Sequence, residues 1–229
     1  MSPNENPIQV YLEVGQKRTF AIASDWPGWC RSGRDEGAAL QALYQYAPRY
    51  ARALQKAGLP FAIPSDASKL VIAGRLVGNA TTDFGAPDCA LSDDTQPIDP
   101  LELQRFEGVL NACWTTLDEA VRGAQGRDLR KGPRGGGRDL MKIVQHTQDV
   151  RIGYLASLGR KFAQSNPNDQ DEDIHLVRQT ILTTLGAAAR GELPAFGPRG
   201  GVRWTPRYFV RRLAWHELDH AWEIEDRAV

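Results

Sequence analysis

The sequence predicts an α+β chain: a small ββαβ unit followed by a bundle of four helices. Three observations predict it. β-branched and aromatic runs alternate with one helical stretch over residues 8–78. A polar segment rich in Gly, Pro and Asp, residues 79–99, then marks a change of composition. Beyond it, residues 100–229 carry four segments whose apolar positions recur at helical spacing. The expected organisation is a unit at 1–80, a linker at 81–99 and a bundle at 100–229.

Composition sets bounds on the function. The 229 residues suffice for one large domain or two small ones. Charged residues make up 24% and hydrophobic ones 41%, ordinary values for a water-exposed fold. The 28 basic and 28 acidic residues cancel, which argues against bulk electrostatic binding of nucleic acid or an anionic membrane. No run of 18 apolar residues occurs, and the N-terminus has no signal-peptide pattern. Cys30, Cys89 and Cys113 are odd in number and lack CxxC spacing, so they read as cytoplasmic thiols.

Taken in order, 8–14 (IQVYLEV) and 18–24 (RTFAIAS) read as strands of a hairpin turned at Gly15-Gln16-Lys17. Asp25-Trp26-Pro27-Gly28 makes a turn, followed by a short extended piece. Residues 35–57 place Ala39, Leu40, Leu43, Ala47, Tyr50 and Leu54 on one helical stripe, with Asp35 as N-cap and Gly58 as stop. Pro48 inside that stretch predicts a kink or break. Residues 68–78 read as the last strand. The tryptophans at 26 and 29 read as a packed turn, with an interaction surface as the alternative.

In the second part, 100–125 is a long amphipathic helix opening on Pro100. The glycine-rich basic stretch 131–139 leads into a helix over 137–159. Its stripe carries Ile143, His146, Val150 and Tyr154. A third helix covers 173–190, with Ile174, Val177, Ile181, Leu182 and Leu185 on one side. The last helix starts after Thr205, with Pro206 in its first turn.

The last helix carries the chemistry. His216 and His220 stand at i, i+4, one turn apart on one face, and can share one metal ion. A third ligand must come from His146 or His175. His146 lies ~13 Å into its helix, and the pair lies ~10–17 Å from the end of theirs, so an antiparallel arrangement levels the three rings. His175 falls at a helix end and is left as an outer or exposed residue. Three neutral imidazoles with open positions suit Zn²⁺ or Ni²⁺, and such an ion can activate a bound water or thiol. By spacing, Asp149, Asp219 and Glu223 are candidates to orient the rings. At the start of the second bundle helix, Arg134 and Arg138 beside free backbone N–H groups form a candidate anion or cofactor site.

Two resemblances rest on these residues. FAIASDWPGWCRSGRDEGAALQAL resembles the HicB-like α/β module, covering 8–78, which implies a fold and little about function. LMKIVQHTQDV, with TPRYFVRRLAWHELDHAWEIE, resembles the DinB-like superfamily of four-helix metalloproteins, covering 100–229. That resemblance implies an up-down-down-up bundle and His146, His216 and His220 as ligands. It also implies a metal-dependent enzyme, S-transferase-like or hydrolase-like, with a low-molecular-weight thiol as a candidate co-substrate. A small-molecule or thiol partner and a homodimer are the expected associations. Two rivals stand beside it. HELDH also satisfies HExxH, in which Glu217 would be the base of a zinc peptidase. The chain would otherwise be a non-catalytic binding or regulatory protein with a structural metal.

Overall fold

The computed structural model describes residues 7–131, 137–162, 170–197 and 200–229, with the backbone alone at 170–172. It is α+β, a four-stranded mixed sheet followed by helices. The strands are β1 (Ile8–Val14), β2 (Thr19–Ala23), β3 (Cys30–Gly33) and β4 (Leu70–Val77), in sheet order β3-β2-β1-β4. The β1–β2 and β2–β3 pairs are antiparallel; β1–β4 is parallel. The extended piece after the Pro-Gly turn is therefore a further strand, so the order is βββαβ where ββαβ is expected. At four residues, it is too short for alternation to reveal it.

Helix α1 (Glu36–Gln55) crosses between β3 and β4 and buries Leu43, Ala47, Tyr50 and Leu54. Asp35 caps it, accepting from the Ala38 N–H at 2.8 Å. The helix is continuous through Pro48, where the sequence predicts a kink or break. Buried side chains on both sides of Pro48 tie the two halves to one core, which offsets the missing backbone donor.

Residues 80–99 are a packed strap. Short helix α2 (Ala80–Phe84) is closed by a capping box at Asn79. The Glu13 carboxylate, fully buried, accepts from the backbone N–H groups of Asp88 and Cys89 at 2.9–3.0 Å. Asp94 is buried against the Arg211 guanidinium. Four long helices follow: α3 (Pro100–Ala124), α4 (Leu140–Leu158), α5 (Gln170–Ala189) and α6 (Pro206–Arg227).

Sixteen of the 22 residues of α6 are buried, so it has almost no solvent face. On one side it meets α4. The Trp204 N–H bonds the Ser157 carbonyl at one end, and Arg227 bonds the Arg138 carbonyl at the other, so α4 and α6 run antiparallel. On another side, α6 meets the turn between β2 and β3. Gly28 has φ +93°, and a Cβ there would stand 3.0 Å from Leu218 and 3.2 Å from Ala214. Only glycine satisfies both the backbone and that close approach. The turn is packed, as the sequence reading favours: Trp29 is fully buried, donates to the Leu43 carbonyl at 2.9 Å and stacks on Tyr50. One hydrophobic core runs from Val10 and Leu12 through Leu54 and Leu110 to Phe209 and Leu218.

Candidate metal centre

His146 on α4 meets His216 and His220 on α6. Ring centroids are 5.1 Å (146–216), 5.0 Å (146–220) and 4.5 Å (216–220) apart. One ligating atom from each lies within 4.8 Å of the others. The Nε2 atoms of His146 and His216 are 3.2 Å apart. Two nitrogens bound tetrahedrally at about 2.0–2.1 Å to one zinc ion would lie about 3.3–3.4 Å apart. The pair is thus spaced for a shared ion, and the third ring stands close enough to join it. Without an ion, the same spacing lets one ring donate an N–H to the other.

Burial tunes the rings. His216 and His220 are buried, while His146 is half-buried at the rim. The buried stripe of α4 runs Ile143, Thr147, Arg151, Leu155. It is rotated from the expected stripe through His146, Val150 and Tyr154, because Arg151 goes inward to meet a charge on α6. Desolvation, and then electrostatic repulsion from His220 and Arg138, lowers the His146 pKa to about 4. Burial pushes His216 well below the usual histidine value, helped by electrostatic repulsion among the three rings. Both rings are therefore neutral near pH 7, the form that ligates metals.

The expected orienting carboxylates divide. Glu223 accepts from His220 Nδ1 at 2.8 Å and is held in turn by Arg227. The interaction with His220, and then that with Arg227, keeps the Glu223 carboxyl below the usual range. With Nδ1 so engaged, His220 has Nε2 free for an ion. Asp149 bonds Gln145 instead, at 2.8 Å, and reaches His146 only through its charge. Asp219 faces the sheet and pairs with Arg31 at 2.8 Å. One residue is about 100° around a helix, so Asp219 cannot share the outlook of His220. His216 Nδ1 is buried with no partner among the described residues, so only packing and the Nε2 contact with His146 orient its ring. His175 is exposed, away from the cluster.

The chain matches no protein-family model, no curated protein and no solved structure.

Sequence reasoning missed two features. Arg151 and Glu217 form a bidentate ion pair at 2.7–2.8 Å, with side chains 2% and 0% exposed. Glu217 is thus held by a guanidinium, where HExxH would use it as a free base. Tyr154 lies beside His216, ring centroids 6.1 Å apart, and its oxygen accepts from Arg212 at 3.0 Å. Partners between helices depend on their register, which no spacing within one helix reports. At the start of α4, Asp139 accepts from the Lys142 N–H at 2.8 Å. The carboxylate of the chain itself thus occupies the helix N-terminus where an anion is expected. Arg138 is exposed beside it, and Arg134 lies outside the described residues.

Proposed function

We propose that this chain is a divalent-metal-dependent enzyme of the DinB-like four-helix type, carrying a HicB-like N-terminal module. Zn²⁺ or Ni²⁺ would be held by His146, His216 and His220. The observation that carries the reading is the convergence of three imidazole nitrogens, two on α6 and one on α4, within 4.8 Å. When bound, the ion would make a coordinated water or low-molecular-weight thiol nucleophilic at neutral pH. The chain would supply the rest. Glu223 and Arg227 hold His220 in one tautomer. Burial keeps His216 unprotonated. His146, at the rim, leaves an approach from solvent. A cytoplasmic protein acting on a small molecule or thiol is the setting this implies.

Untagged protein, purified and analysed for metal, should carry close to one Zn²⁺ or Ni²⁺ per chain. His146→Ala should lose it while remaining folded. Metal content unchanged by His146→Ala would defeat the three-ligand reading. It would favour a peptidase-like pair, against which the locked Glu217 already argues. A thiol-exchange assay with several small thiols and electrophiles then separates an enzyme from a metal-holding regulatory protein.

A further inference from the structure

Between the sheet and the C-terminal half of α6 lies a cavity of about 560 Å³, within the usual range for small-molecule sites. Phe20, Trp215 and Trp222 are the aromatic residues of its lining. Its charges do not cancel. The lining carboxylates Asp219, Glu223 and Asp226 already have guanidinium partners: Arg31, Arg227 and Arg49 respectively. Two lining arginines are left over. Arg18 donates to the Ser32 hydroxyl at 3.0 Å, and Arg138 offers only its backbone carbonyl to Arg227. Neither has a carboxylate partner among the described residues. The buried indole N–H of Trp215 also lacks an acceptor there. Glu223 belongs both to this cavity and to the His220 contact, so the cavity borders the histidine cluster.

We infer that this cavity binds an organic anion with a flat apolar body, an aryl carboxylate in its simplest form. The carboxylate would be met by Arg18 and Arg138 and the ring by Phe20, Trp215 and Trp222. Charge-assisted bonds from guanidinium to carboxylate select the anion, and aromatic walls select the flat body. Phe20 and Arg18 come from the N-terminal sheet region, which this inference makes a wall of the binding site. The inference goes beyond the metal reading and holds with or without an ion.

The test is calorimetric titration with 2-naphthoate and with its neutral counterpart 2-naphthalenemethanol. Each is run on chelator-treated protein and on protein reconstituted with Zn²⁺. Naphthoate should bind about tenfold or more tightly than the alcohol in both preparations. The double variant R18Q/R138Q should erase that preference, and R18K/R138K should keep most of it, with thermal melts checking that both fold. Equal binding of acid and alcohol, or no binding at millimolar concentration, overturns the inference. So does naphthoate binding that needs zinc and ignores the arginine variants, because the anion would then be a ligand of the ion. Naphthoate binding to a protein that takes up no metal would sustain this inference while sinking the metal reading.

Discussion

Helix α6 has two working faces, and they are built on different principles. Towards α4 it presents His216, His220 and Glu217, polar groups placed in the interior. Towards the N-terminal unit it presents Ala214 and Leu218 beside Gly28, and Trp222 beside Tyr46 of α1. The sheet face depends on shape: a glycine with nothing to spare, and the tilted ring pair of Tyr46 and Trp222. The α4 face depends on partnership, because each buried polar group is costly unless another answers it. On one face, then, damage follows from added volume; on the other, from a missing partner.

The largest expected effect lies on the α4 face. Glu217→Ala leaves the Arg151 charge buried without its carboxylate and should cost about 3–5 kcal/mol of stability by urea unfolding. The double variant R151M/E217L should recover most of that loss. A loss as large in the double variant would mean that the pair does more than neutralise itself. Next, Gly28→Ala on the sheet face should cost about 1–3 kcal/mol, through its left-handed backbone and the crowding of Ala214 and Leu218. A neutral result would show that the two layers are less tightly seated than the distances imply.

Glu223→Gln should weaken metal binding about 10–100-fold with little change in folding, as expected for a group that orients a ligand. Competition with a chelator of known affinity measures it. Acidity gives a subtler separation. His146 and His216 have pKa values below those of the unfolded chain, so the metal-free fold binds fewer protons there than the unfolded state does. Their contribution is fully present above about pH 6.5 and fades as pH falls towards about 4. The difference in urea midpoint between wild type and His146→Gln should therefore change across that window and stay flat above it. Smallest of all, His175→Ala should alter neither metal content nor stability measurably, because the ring is exposed.

The three histidines were legible because two share one helix at i, i+4, and the third falls at their level on a rise count if the two helices run antiparallel. Glu223 was legible for the same local reason, three residues after His220. Asp149 and Asp219 met the spacing rule and failed on direction, drawn to Gln145 and Arg31. The Arg151–Glu217 pair was not legible, because 66 residues and one helix crossing separate its members. The motif reading of Glu217 named the residue and missed its role. In the first part, β1, β2, β4 and α1 could be read from β-branched and aromatic runs and a capped stripe. Strand β3 and the strap at 80–99 could not, since their order comes from contacts to β2, Glu13 and Arg211.

Because Val10, Leu54, Leu110 and Phe209 belong to one continuous interior, the compositional seam near residue 90 is not a natural place to cut. A fragment ending there would leave greasy surface in water on both pieces. Heat or denaturant should melt sheet and helices in a single sigmoid, seen alike by far-ultraviolet dichroism and tryptophan emission. The histidine cluster would then share the fate of a sheet that contributes none of its imidazoles.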